Sequence, residues 1–61
     1  MQNNKYKLLT RKELANFLGL STRTISRFIE QGDLRCVKLG HQIRFRESDI
    51  EEFLTLNELS N

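Results

Sequence analysis

The sequence predicts an α+β domain built from a helix pair, a two-stranded β-hairpin and a closing C-terminal helix. Three observations carry that expectation. Residues 10 to 32 hold two stretches that each begin on a hydroxyl residue, repeat apolar side chains at helical spacing and stop at a glycine. Residues 35 to 46 alternate apolar and polar side chains on either side of a Gly-His pair, the pattern of a hairpin. Residues 47 to 56 return to a helical stripe behind a further hydroxyl residue. No Pro/Gly/Ser-rich linker, internal repeat or low-complexity segment separates these parts, so residues 1 to 61 are expected to form a single domain.

Met1 to Asn4 is a polar lead expected to fray, and the apolar patch from Tyr6 to Leu9 suits a short strand or an extended segment. Thr10 stands three residues before Glu13. At that spacing a hydroxyl caps the amide of the third helical residue while the carboxylate reaches back to the capping residue's own amide, which starts a helix near Arg11. Leu14, Ala15 and Leu18 form its apolar stripe, and Gly19 is free to adopt the left-handed conformation that ends it. Ser21 supplies the second cap, and Ile25, Phe28 and Ile29 repeat the i, i+3, i+4 spacing until Gly32. Two short helices joined by so tight a turn read as a helix-turn-helix.

Asp33 and Leu34 lead into the hairpin. Val37 and Leu39 alternate with Cys36 and Lys38, Gly40 and His41 make the turn, and Ile43 and Phe45 alternate with Gln42, Arg44 and Arg46. The expected hairpin has an apolar inner face, containing Val37, Leu39, Ile43 and Phe45, and a basic outer one; it is a wing. Ser48 and Glu51 then repeat the capping-box spacing, and Ile50, Phe53 and Leu54 form a stripe that closes the core, extended by Leu56 and Leu59.

Charge points to a function. All ten Lys and Arg lie in residues 1 to 46 against three acids, a net +7, whereas residues 47 to 61 carry five acids and no base. A basic body on a small domain suits nucleic-acid phosphate. With Ile25, Phe28 and Ile29 facing the core, the second helix turns Arg23, Ser26, Arg27 and Glu30 outward, and Thr22 and Thr24 flank its N-terminus, where free amides and the helix dipole favour a phosphate. The expected DNA contacts are therefore Thr22, Arg23, Thr24, Ser26 and Arg27 in the major groove of double-stranded DNA, with Lys38, His41, Gln42, Arg44 and Arg46 of the wing on an adjacent groove or backbone.

Other chemistry is disfavoured. A chain of 61 residues buries only about 60% of its unfolded surface and has little room for an internal active site, so no enzyme activity, cofactor or small-molecule substrate is expected. Cys36 and His41 are too few to hold a metal, and the last helix's carboxylates read as a solvated face rather than an acid/base pair. No apolar run approaches a membrane span and no hydrophobic signal region is present; with a single cysteine, this suits the cytoplasm.

The stretch LLTRKELANFLGLSTRTISRFIEQGDLRCVKLGHQIRFRESDIEEFL resembles the excisionase-type, MerR-like winged helix-turn-helix family across roughly residues 8 to 54. The LLT opening, the ELA-x-x-LG-x-S helix and turn, the K-x-G wing and the R-x-S-D-[IL] third helix follow in the family's order. The wing tip departs from the usual pattern in carrying His41, Gln42 and Ile43 where a further basic or aromatic residue is common. The resemblance implies a bacterial or phage DNA-binding protein, either an excisionase that assists an integrase in excision or a transcriptional regulator on the same fold. A short recognition helix has limited reach, so cooperative self-association on DNA or a recombinase neighbour is expected, with the acidic segment 47 to 61 a candidate recombinase contact. A protein-interaction module whose acidic tail is the contact surface is the remaining reading, opposed by the +7 body.

Overall fold

The computed structural model describes residues 7–59. In chain order it contains β1 (Leu8–Leu9), α1 (Arg11–Leu18), α2 (Thr22–Glu30), β2 (Val37–Leu39), β3 (Gln42–Arg46) and α3 (Glu47–Leu59). The polar lead and Tyr6 lie outside the described residues, as does the side chain of Leu59 that was expected to extend the last stripe.

Both helices of the pair form where their caps dictate. Glu13 N–H donates to Thr10 Oγ1 at 3.0 Å and Thr10 N–H donates to Glu13 Oε1 at 2.9 Å, completing the reciprocal box that satisfies two otherwise orphaned amides. At the far end Gly19 takes φ 72°, which lets Leu20 N–H reach back to the Ala15 carbonyl at 2.9 Å. Ser21 opens α2 immediately, its Oγ accepting from Thr24 N–H at 3.1 Å. Gly32, at φ 82°, closes α2 with the same six-to-one bond, Asp33 N–H to Phe28 O at 2.9 Å.

The two-stranded hairpin forms as expected, and the apolar patch before α1 supplies a short third strand. Leu8 and Leu9 pair antiparallel with Arg46 and Phe45, giving three strands in the order β1-β3-β2 with β3 central. The face assignment of β2 needs correction. The two-residue Gly40-His41 turn fixes Leu39 opposite Gln42, Lys38 opposite Ile43 and Val37 opposite Arg44. Directly opposed residues share a face, so Val37 and Leu39 lie on the outer face with Gln42 and Arg44, while Cys36 and Lys38 take the inner side with Ile43 and Phe45. Burial agrees: Cys36 and Ile43 pack against the core, and Leu39 is 51% exposed. The inner side is therefore less apolar than expected, and the outer side more so.

The core draws one or two side chains from nearly every element. Leu14 and Ala15 of α1, Ile25 of α2, Leu34, Phe45 of β3, and Ile50 and Phe53 of α3 are buried. Phe53 meets Phe28 of α2 at a ring-centroid distance of 4.9 Å and 58° between planes, a tilted contact that ties α3 to the helix pair. Leu54 and Leu56, expected in the closing stripe, are mostly turned to solvent. The helix starts at Glu47 as expected, but its core face is limited to Ile50 and Phe53.

The start of α3 is also held differently from the Ser48–Glu51 expectation. Ser48 lies inside the helix, and Asp49 does the capping. Asp49 Oδ2 accepts from the Arg46 backbone N–H at 3.1 Å and from Arg46 Nε at 3.0 Å, while Oδ1 accepts from Arg46 Nη2 at 3.0 Å. One carboxylate thus performs the backward half of a capping box and a two-pronged pairing with a guanidinium. Asp49 is 3% exposed, and every buried polar side-chain atom among the described residues has a partner.

This clamp makes stability pH-dependent. The hydrogen bonds from the Arg46 side chain hold the Asp49 carboxyl below the usual carboxylate range, burial opposes them, and the Arg46 amide and the Arg46 and Arg35 charges add to the lowering. A depressed folded-state value stabilises the fold above the ordinary aspartate range of about pH 3.9 and loses that contribution as pH falls through the folded value. Between about pH 6 and about pH 2, Tm should fall more steeply for the native chain than for Asp49→Asn, the two curves converging at the acid end. Parallel curves would show that another group governs the acid response.

Candidate nucleic-acid interface

The surface of α2 is built by its caps and its buried stripe. Ile25 is fully buried and Phe28 and Ile29 are half-buried, so the opposite side must carry Arg23, Ser26, Arg27 and Glu30, which line one shallow concavity. Neither Arg23 nor Arg27 takes part in an ion pair among the described residues, where the pairs are Arg35 with Glu52 and Arg46 with Asp49. Two unpaired guanidiniums one helical turn apart can each present a planar fork of donors to guanine O6 and N7 or to a phosphate.

At the N-terminus of α2 the hydroxyls divide in role. Thr24 Oγ1 lies 3.0 Å from Ser21 Oγ and Thr24 N–H is used by the cap, so Thr24 helps close the turn. Thr22 is exposed, and by helix geometry its amide and that of Arg23 have no intrahelical acceptor. The turn from Gly19 to Ser21 sets α2 against α1 and leaves this end open to solvent.

The wing residues do not form one cluster. Gln42 and Arg44 share the outer face, where Arg44 Nη2 donates to Gln42 Oε1 and Nη1 donates to the Ile43 carbonyl, both at 2.8 Å. Lys38 lies on the other side, opposite Ile43, and His41 sits exposed at the tip. Arg46 is on the same face of β3 as Arg44 but its guanidinium is held by Asp49. The sequence residues thus separate into an α2 group, a Gln42–Arg44 pair, the flanking Lys38 and His41, and a structurally engaged Arg46.

The chain matches the helix-turn-helix domain family over residues 8–57. It is 42% identical over 43 residues to an excisionase of Mycobacterium phage D29, the aligned stretch covering 70% of this chain and 77% of that relative. The chain belongs to the excisionase-type helix-turn-helix family. No solved structure matches it.

In this excisionase-type chain the elements that position the α2 face are the ones whose sequence signals are strongest, namely two hydroxyl caps and a left-handed glycine. Sequence reasoning placed Glu30 outward but gave it no role. The structure sets it in the concavity with Arg23 and Arg27, where a carboxylate is a suitable acceptor for a cytosine amino group. The Asp49 clamp on Arg46 was missed, although a carboxylate three residues after a strand-ending Arg is a readable signal. No helix among the described residues is long and apolar enough to cross a membrane.

Proposed function

We propose that this chain is a sequence-specific double-stranded DNA-binding excisionase, which sets the direction of recombination by shaping DNA beside an integrase and contributes no catalysis of its own. The observation that carries the reading is the outward face of α2, where Arg23 and Arg27 stand exposed and unpaired on a helix rigidly capped at both ends. Thr22 and Ser26 add hydroxyl contacts, Thr24 fixes the turn, and Glu30 reads a complementary amino group. The wing lies along the backbone, with Arg44, Gln42, Lys38 and His41 as phosphate partners and Arg46 as their support. This use of the hairpin is the MerR-like part of the resemblance. Such a protein works in the cytoplasm of a bacterial host.

Single DNA-binding modules bury about 600 to 1,000 Å² on the duplex, which limits what one copy can specify. Several copies on adjacent sites, or one copy beside an integrase, supply the rest. The shared contacts offset a bend costing of order 1 to 6 kcal/mol.

Affinity for duplex DNA should fall with salt at about 0.9 log units per phosphate neutralised. Arg44→Ala should weaken cognate and scrambled sites by similar factors and lower the salt exponent by about one. The deciding experiment adds the protein to its integrase and attachment-site DNA. Stimulated excision together with a bend in a circular-permutation gel supports the proposal. Binding confined to a promoter, with neither effect, assigns the chain to transcriptional regulation.

A further inference from the structure

Away from α2, an open groove of about 700 Å³ runs between β1, α1 and the first half of α3. Its apolar surface comes from Leu8, Leu9, Phe17, Ile50 and Leu54. Three of these are unusually exposed for their size: Phe17 at 67%, Leu54 at 42% and Leu8 at 37%. Glu13, Glu47 and Glu51 stand along the same groove, against Lys7 as the single cation among the described residues that line it. No residue of α2 or of the β2–β3 hairpin lines it.

The rim excludes DNA as the occupant. Three carboxylates against one ammonium repel phosphate, on a chain whose remaining body is strongly basic. An apolar floor between two helices suits the apolar stripe of a third, and acidic walls select lysine or arginine flanks on it. We infer that this groove is a docking site for a basic amphipathic helix of a partner protein, which it holds while α2 remains free for DNA. The inference rests on the proposed function only in placing that partner on the same DNA; the groove itself is defined by the fold.

Phe17 is the anchor. It protrudes from α1 one turn after Glu13, so a partner leucine can pack between its ring and Leu54 while lysines on the same helix meet Glu47 and Glu51, themselves one turn apart on α3. Aromatic side chains set in an apolar surround are the residues that most often dominate such contacts. Phe17 also makes little contribution to the core, so its loss tests docking without testing folding.

The test uses the full-length protein, labelled with 15N and free of DNA, and two synthetic helical peptides. One carries leucines at i, i+3, i+4 and i+7 flanked by lysines, and the other has the same leucines flanked by glutamates. The lysine peptide should give saturable amide shifts confined to residues 7–9, 13–17 and 47–54, and the glutamate peptide should give none. Phe17→Ser should weaken lysine-peptide binding at least about tenfold, and the double change Glu47→Lys, Glu51→Lys should reverse the preference between the peptides. Phe17→Ser should keep the native affinity for duplex DNA and reduce stimulation of excision by the integrase, while the charge-reversed variant, which gains four positive charges and binds DNA more tightly for that reason alone, is read only in the peptide comparison.

Absence of saturable shifts, equal binding of the two peptides, or shifts centred on residues 22–30 would overturn the inference. So would concentration-dependent shifts at the groove without any peptide, which would assign it to a second copy of this chain. If the peptide fails while DNA binding and excision persist, only the groove assignment falls. Loss of DNA binding by the native chain would instead remove the proposed function.

Discussion

Phe45→Ala is expected to leave the chain largely unfolded at room temperature. Phe45 is fully buried on the central strand of the sheet, with β1 paired on one side and β2 on the other. Truncating a buried phenylalanine costs about 3 to 5 kcal/mol through lost burial and the cavity left behind. A domain of 61 residues has about 3 to 9 kcal/mol to lose at typical stability per residue. Circular dichroism should therefore show loss of helix signal or a collapse of Tm. The informative control is Leu39→Ala, which should change stability by no more than about 0.5 kcal/mol because Leu39 lies on the outer face. Comparable losses at both positions would place Leu39 on the inner face together with Phe45.

The second large effect is on DNA. Arg27→Ala should cost about 1 to 3 kcal/mol in binding to the cognate site, with a smaller loss on scrambled DNA, if its guanidinium reads a base edge. Arg23→Ala at the neighbouring position is expected to act through the same concavity, so the double variant should depart from additivity. Neither side chain supports the core, and Tm should stay at its native value. Equal weakening on all sequences would assign Arg27 to a phosphate and leave specificity with the remaining α2 residues.

What the sequence made legible is local. Thr10 with Glu13, Ser21, Gly19 and Gly32 each act within six residues, and their signals correspond directly to the hydrogen bonds and left-handed backbone that the structure contains. The outward side of α2 follows from them because a helix with its buried stripe known has one free face. The errors arise where a residue's position depends on a distant partner. Val37 and Leu39 are more apolar than Cys36 and Lys38, and apolarity alone turned them inward. The pairing imposed by the two-residue turn turns them outward, since a residue opposite Arg44 must share its face. That constraint was present in the turn length and was outweighed by side-chain character.

The start of α3 shows the same competition at short range. Ser48 and Glu51 have the commoner capping pattern, yet a strand that runs to Arg46 leaves no room for a cap at Ser48. Asp49 instead bonds the last strand residue, so the cap is chosen by where β3 ends. For the wing, residue type identified cations but said nothing of their internal partners. Arg44 reaches back to Gln42 and Ile43, and Arg46 is held by Asp49, and both arrangements depend on side-chain geometry that residue spacing does not specify.

The pairing of β1 with β3 bears on the order in which the molecule is completed. Leu8 opposite Arg46 closes a loop of about 38 residues, whereas the helix pair and the hairpin are joined by contacts close in sequence. During synthesis Leu8 and Leu9 leave the ribosome well before their partner strand has been made. The helix pair can form while they wait, and the two-residue strand docks only after β3 has taken its place. In the finished protein the same short edge strand should be the first part of the sheet to exchange its amides. Leu8 and Leu9 therefore precede the other core residues of this domain in translation and are among the last to find their neighbours, so the acidic groove they floor exists only on chains that have folded to completion.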